Sequence, residues 1–161
     1  MEERIKNGEF LDGLTSWNTG SACGEFNWQV SIHNLPPPYC AISSFGNDCI
    51  TYLSQSVYLT GVDELTFDAR GWLWPSMCGP GWLRVYIGDA VVWESLINIA
   101  AFAPQLADVS LFTGIHTLKF CVYSPICGAR LDVMAISALG PSPAIILNPI
   151  SSRWNCAGAP P

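Results

Sequence analysis

Three tryptophans and two arginines near the middle of the chain are of the residue types that bind sugars. Trp72 and Trp74 are two residues apart in an alternating pattern, so both point to the same side of a strand. Aromatic rings stack on the apolar faces of sugar rings, and polar side chains beside them bind hydroxyl groups. We expect such a platform from Trp72, Trp74, Trp82, Arg70 and Arg84. The alternative is that aromatic residues at this spacing fill the core of a β-sandwich.

Patterns that would indicate catalysis are weak in this chain. His33 and His116 are its two histidines, and neither lies near an obvious nucleophile in the sequence. No nucleophile elbow, phosphate loop or zinc-protease motif occurs. Carboxylate pairs such as Asp63 with Glu64 resemble turn and surface residues, whereas a glycosidase needs two opposed carboxylates in a cleft. We therefore predict that the chain is not an enzyme.

The seven cysteines allow two interpretations. They are either small buried apolar side chains or partners in disulfides. An odd number leaves at least one of them free or paired between chains, and the absence of Cys-x-x-Cys argues against zinc. If disulfides form, the pairs that the spacing favours are Cys40 with Cys49, across a hairpin, and Cys121 with Cys127, at a strand end.

The composition fits one all-β domain with an acidic, weakly charged surface. Of the 161 residues, 50% are hydrophobic and 12% charged, and glycine and proline are plentiful. The net charge is −6 and the basic residues are scattered, so we expect no nucleic-acid partner. No apolar run is long enough to span a bilayer, and the first residues do not resemble a secretory signal. Low surface charge favours association with a partner.

Short alternating segments predict the strands that must position these side chains. Turn residues separate the segments every eight to twelve residues or so, which is typical of a sandwich. The predicted strands are 25–34, 39–43, 50–59, 64–74, 82–87, 90–94, 107–112, 115–123 and 130–139. The segment 97–104 is ambiguous, and we interpret it as a crossing segment between strands.

Several of these segments carry motifs of one known family, in the same order. They are the opening Asn7-Gly8-Glu9-Phe10 with Trp17 after a short loop, then Ser54-Gln55-Ser56-Val57-Tyr58-Leu59, Leu65-Thr66-Phe67-Asp68-Ala69-Arg70, Leu83-Arg84-Val85-Tyr86-Ile87-Gly88, Thr117-Leu118-Lys119-Phe120 and Ala129-Arg130-Leu131-Asp132-Val133. The order resembles that of the galactose-binding-like, carbohydrate-binding-module jelly rolls over roughly residues 5–139. The resemblance implies a jelly-roll β-sandwich and a binding module.

The resemblance also implies a structural calcium ion, which members of this family often hold between the first and last strands. Asp132 matches the acidic residue of the final strand. Leu11 occupies the place where an acid is common near the start, so Glu9 or Asp12 would have to substitute. The alternative is that Asp132 caps a turn or pairs with Arg130. The sequence implies no other cofactor.

The sandwich is expected to occupy residues 1–139 and a proline-rich, apolar C-terminal arm residues 140–161. The arm either folds back on its own domain or reaches a neighbouring copy. The residues that we expect to drive assembly through the arm are Ile145, Ile146, Leu147, Trp154 and Cys156.

Two functions fit these observations. The first is a non-catalytic structural module of a large surface assembly, such as a virion decoration or tail component or a subunit of an extracellular filament. It would form homo-oligomers through its low-charge surfaces and its arm. The alternative is a carbohydrate-binding module that recognises glycans through exposed aromatic residues. Both place the protein outside cells or on a virion surface.

Overall fold

The computed structural model describes residues 1–22, 28–34, 37–45, 48–73, 81–125 and 128–141. Twelve strands lie in these ranges, and none of the described residues forms a helix that could cross a membrane. The strands are β1 (Glu2–Glu3), β2 (Asn18–Ser21), β3 (Trp28–His33), β4 (Tyr39–Ser44), β5 (Cys49–Tyr58), β6 (Glu64–Leu73), β7 (Trp82–Ile87), β8 (Ala90–Ser95), β9 (Ile99–Asp108), β10 (Ile115–Ser124), β11 (Ala129–Ser137) and β12 (Leu139–Gly140).

The long strands form two antiparallel sheets of five strands each. The front sheet has the order β2-β5-β10-β7-β8, and the back sheet has the order β3-β4-β11-β6-β9. The short strands β1 and β12 pair with each other, which joins the start of the chain to the end of the sandwich. The predicted all-β jelly-roll sandwich is confirmed.

The core lies between the sheets because alternate residues of each strand face inward. Leu118, Phe120 and Val122 of β10 and Leu131 and Val133 of β11 are fully buried. Burial of a side chain of this size stabilises the fold by about 1.5–3 kcal/mol.

Trp17, which follows the opening motif after a short loop, closes one part of this core. Its side chain is 7% exposed, and its ring centroid lies 5.6 Å from that of Phe10 and 6.3 Å from that of Phe120. The opening motif therefore serves packing: its loop carries a large aromatic ring into the sandwich.

The alternation predicted for the last strand is wrong beyond Val133. The register of β11 shifts between Met134 and Ser137, and Ala135 has a left-handed backbone with φ 50°. This bulge turns Ala135 to the outside and places Ile136 in the core. The Ile136 N–H donates to the carbonyl of Gly8, so the N-terminal loop meets the strand at the bulge.

The segment interpreted as a crossing is instead the first part of a strand. β9 is continuous from Ile99 to Asp108 and pairs with β6 at the edge of the back sheet. An edge strand tolerates an irregular pattern and a proline, here Pro104, because one side of it needs no partner. The predicted short strand at 107–112 is therefore wrong, apart from its first two residues.

Candidate functional site

The predicted sugar platform is divided between the two sheets. Arg70 and Trp72 lie on β6 of the back sheet, whereas Trp82 and Arg84 lie on β7 of the front sheet. The prediction of one shared platform is therefore wrong, and Trp74 lies outside the described residues. The physical reason is that the chain changes sheets between Leu73 and Trp82, so closeness in sequence does not become closeness on a surface.

On the back sheet, two arginines bind one buried carboxylate. Arg70 faces Asp132 across β6 and β11, and its Nε donates to Oδ2 of Asp132 over 2.8 Å. Arg130 donates from Nε to Oδ1 over 2.6 Å and from Nη2 to Oδ2 over 3.2 Å. The Asp132 side chain is 0% exposed, while those of Arg70 and Arg130 are 27% and 30% exposed. We call these three residues the arginine cluster.

Aromatic rings surround the arginine cluster. The guanidinium carbon of Arg70 lies 4.6 Å from the ring centroid of Phe102, 4.9 Å from that of Tyr39 and 5.3 Å from that of Trp72. The guanidinium of Arg130 lies 5.5 Å from the Trp72 ring. The hydrogen bonds to Asp132 raise the pKa of Arg130. The charged groups and aromatic rings on this face therefore form ion pairs and cation–π contacts with one another.

The three residues predicted to bind calcium are not brought together. Asp132 is engaged by two guanidinium groups, whereas Glu9 and Asp12 are exposed and line a depression beside Ala135 and Ser137, at the C-terminal end of β11. No three Asp, Glu, His or Cys side chains of the described ranges form a group that could hold a metal. The three residues therefore do not form one cluster, because the charge of Asp132 is balanced by arginine; the alternative prediction, that Asp132 pairs with Arg130, is confirmed.

A groove runs over the outer face of the front sheet. Its volume is about 330 Å³. It is lined by Ser21, Ala22, Ile50, Tyr52, Trp82, Tyr86, Gly88, Asp89, Lys119 and Cys121. Tyr52 faces Cys121 across β5 and β10, and Lys119 faces Tyr86 across β10 and β7. The lining is therefore contributed mainly by three adjacent strands.

Aromatic rings form much of the groove surface. The Trp82 and Tyr123 rings stack with centroids 5.2 Å apart, and the Tyr86 ring meets Trp82 edge-on at 6.3 Å. On the other side, Tyr52 lies directly across from Gly20 of β2. A Cβ atom at position 20 would overlap the phenol of Tyr52, so this glycine gives the ring its place against the sheet.

Polar and charged groups accompany these rings. The Lys119 ammonium lies 5.3 Å from the Tyr52 ring centroid, and the Arg84 guanidinium lies 4.2 Å from that of Trp82. Arg84 also donates a hydrogen bond to Glu94 on the neighbouring strand β8. Rings with cations, a carboxylate and hydroxyl groups beside them are the chemistry that binds sugars by stacking and hydrogen bonding.

Comparisons with known proteins agree with this architecture. No family model and no curated protein matches the chain. Among solved structures, a family 61 carbohydrate-binding module bound to β-1,4-galactotriose is 14% identical with a TM-score of 0.57, and the match covers 88% of this chain and 100% of that one. The chain has the jelly-roll fold of carbohydrate-binding modules.

Two other solved structures show the same fold. A family 11 carbohydrate-binding module from Clostridium thermocellum, in complex with a β-1,3-1,4-mixed-linked tetrasaccharide, is 14% identical with a TM-score of 0.57; the match covers 86% of this chain and 95% of that one. The K3 cleaved adhesin domain of Lys-gingipain from Porphyromonas gingivalis is 16% identical with a TM-score of 0.57, covering 87% and 100%. These similarities establish the architecture.

The predicted disulfide pairs are wrong. Cys40 and Cys121 are free and buried, whereas Cys49 is disulfide-bonded. Cys127 lies outside the described residues. Cys40 and Cys49 lie on β4 and β5, which belong to different sheets. Burial raises the pKa of the Cys121 thiol to about 12, although Lys119 and Arg84 oppose the shift. A thiol of this kind in the groove is a poor nucleophile.

Sequence reasoning missed the residues that line the centre of the groove. Tyr52, Tyr86 and Lys119 alternate with buried residues, so each faces outward by the same rule that placed the core. The sequence signal that could have identified them is their outward position on β5, β7 and β10, three strands that are far apart in sequence. The arm residues Ile145, Ile146, Leu147, Trp154 and Cys156 lie outside the described residues.

Proposed function

We propose that the chain is a glycan-binding module that holds an oligosaccharide in the front-sheet groove. The observation that carries the proposal is the groove itself, in which the rings of Tyr52, Trp82 and Tyr86 lie beside Lys119 and Asp89. A volume of about 330 Å³ is at the lower end of the range for small-molecule sites, which suits a few sugar rings. The fold shared with carbohydrate-binding modules supports the proposal.

The front sheet is a better binding surface than the back sheet because fewer of its polar groups are already engaged. On the back sheet, both oxygens of Asp132 accept hydrogen bonds from arginine, and the rings contact the same guanidinium groups. A ligand there would have to displace these interactions. In the groove, Lys119 and Asp89 form no ion pair with any described residue and are available to sugar hydroxyl groups.

We propose further that the groove does no chemistry on its ligand. Asp89 is the one carboxylate among the lining residues that the structure describes, whereas glycosidases use two. The thiol of Cys121, which also lines the groove, is held protonated by burial. Binding without turnover is therefore the expected behaviour.

Binding measurements on matched tryptophan variants test the proposal. We expect the wild-type chain to bind members of a glycan array, and Trp82→Ala to lose about fivefold or more in affinity for each bound glycan, since stacking on one ring contributes about 1 kcal/mol or more. Trp72→Ala is the control, because it removes the same side chain from the opposite face. Equal losses in the two variants, or no binding by the wild-type chain, would contradict the proposal.

Self-association in a surface assembly, outside cells or on a virion, is kept as a second proposal. Exposed apolar side chains favour it, among them Ile97 at 74%, Leu111 at 90% and Ile115 at 74% exposure. Light scattering on the full chain and on a version ending at Pro141, which keeps β12, tests it. Large particles from the full chain alone would support assembly through the arm, and monomers from both would contradict it.

A further inference from the structure

The basic side chains of the described residues differ in how they are paired. All four arginines form ion pairs: Arg4 with Glu2, Arg84 with Glu94, and Arg70 and Arg130 with Asp132. Neither Lys6 nor Lys119 forms an ion pair with any described residue. Lys6 is exposed to solvent, whereas Lys119 is half-buried in the groove. The groove therefore holds a cation that has no counter-ion among the described residues.

Lys119 occupies the centre of the groove. It lies on β10, the middle strand of the front sheet, between Ser54 of β5 and Tyr86 of β7. Its ammonium group lies over the Tyr52 ring, which attracts a cation but does not neutralise it. A half-buried ammonium beside aromatic rings loses part of its hydration, so an incoming anion would gain more there than in open solvent.

The carboxylates near the groove do not balance this charge. Glu94 accepts a hydrogen bond from Arg84, so its charge is already compensated. Asp89 is exposed in the turn between β7 and β8 and lies beyond ion-pair distance of Lys119. Lys119 and Arg84 both lower the pKa of the buried Cys121 thiol against the effect of burial, so two cations act on the same part of the groove floor.

Resting on the proposed glycan-binding function, we infer that the groove selects acidic glycans, which carry a carboxylate or sulfate group, and that Lys119 binds this group. The other groove residues are suited to the remaining contacts: the rings to the apolar sugar faces, and Asp89 to hydroxyl groups. Lysine binds either anion as a point charge, so the shared chemistry is one negative group on a sugar ring.

Matched pairs of oligosaccharides test the inference. Each pair has the same rings, linkages and length, and differs only in the anion: uronic-acid oligomers against their carboxyl-reduced forms, and sulfated galactan oligomers against their desulfated forms. Calorimetry on the wild-type chain is expected to show about tenfold tighter binding of the acidic member of at least one pair, the effect of one charge-assisted hydrogen bond. The pair that shows it distinguishes carboxylate from sulfate.

Two lysine variants and one rescue variant complete the experiment. Lys119→Gln is expected to remove the preference for the acidic member, because it weakens binding of the acidic member more than binding of the neutral member. Lys6→Gln is expected to change neither affinity, and Lys119→Arg to restore most of the preference because it restores the charge. Thermal unfolding of each variant checks that it is folded.

The outcomes separate this inference from the function on which it depends. If neutral members bind as tightly as acidic members, or if Lys119→Gln weakens both equally, the inference is overturned and glycan binding stands. If no member of any pair and no glycan on the array binds, both fail. A loss of preference confined to Lys119→Gln supports both.

Discussion

The two outer faces of the sandwich carry similar residue types but are organised differently. Each carries tryptophan, tyrosine, arginine and carboxylate side chains. On the back sheet Asp132 is 0% exposed and two arginines bind it, whereas on the front sheet the Arg84 and Glu94 side chains are 29% and 34% exposed and leave a groove beside them. Residue types alone therefore do not define a binding surface. What matters is whether the polar groups have partners within the chain.

The difference follows from where the carboxylate lies. Asp132 is on β11, the central strand of its sheet, so arginines from its own strand and from β6 can reach it. On the front sheet the central strand β10 carries Lys119 and Cys121 at its outward positions, and Glu94 lies on the edge strand β8. A central cation without a central anion leaves the middle of the front sheet open to a ligand.

The largest difference between the two faces is expected in the free energy of unfolding when the central carboxylate, Asp132, is removed. Asp132→Asn leaves Arg70 and Arg130 without their anion, and we expect the free energy of unfolding to fall by about 3–5 kcal/mol. Urea denaturation measures it. The matched change on the other face, Glu94→Gln, breaks a partly exposed pair and should cost less than about 1 kcal/mol. Similar losses in both variants would show that the two faces are not organised differently.

A smaller effect, on binding rather than stability, is expected at Gly20. The added methyl group of Gly20→Ala would overlap the phenol of Tyr52 and move that ring within the groove. We expect glycan affinity to fall by about threefold to tenfold with little change in melting temperature, because a side-chain tip can move more cheaply than the backbone. Gly13→Ala would not serve as a matched control for this variant, because the backbone φ of 62° at Gly13 strains any residue that has a side chain. An unchanged affinity would place Tyr52 outside the binding surface.

The smallest effect concerns the two thiols that are free among the described residues, one on each sheet. Burial raises the pKa of Cys40, in the core of the back sheet, and of Cys121, beneath the groove, to about 12. Each folded-state pKa lies above the ordinary value of 9.0, so the folded chain keeps protons that the unfolded chain releases. Their contribution to stability is therefore complete below pH 9 and is lost as the pH rises towards 12.

Denaturation series at pH 8, 9 and 10 on the wild-type chain and on Cys40→Ala and Cys121→Ala variants measure this effect. We expect each variant to lose less stability with rising pH than the wild-type chain does. Identical slopes in all three proteins would show that the thiols do not titrate in this way.

Much of the fold could be predicted because it depends on local alternation. The period-two patterns in β5, β6, β7 and β10 place the core residues correctly, since one face of each strand has to leave water. The pattern fails at the bulge around Ala135, where the N-terminal loop bonds to Ile136. It also fails at β9, an edge strand with fewer constraints.

The sequence by itself determined the all-β class and the inward and outward positions of the residues in most strands. These depend on hydrophobic alternation and on turn residues, which act over a few positions. The tertiary structure alone decided that Trp72 and Trp82 lie on opposite faces, that Asp132 is bound by Arg70 and Arg130, and that Lys119 lies among aromatic rings with no ion-pair partner in the described ranges. These features depend on which strands become neighbours, and strand order is set by the packing of the whole sandwich.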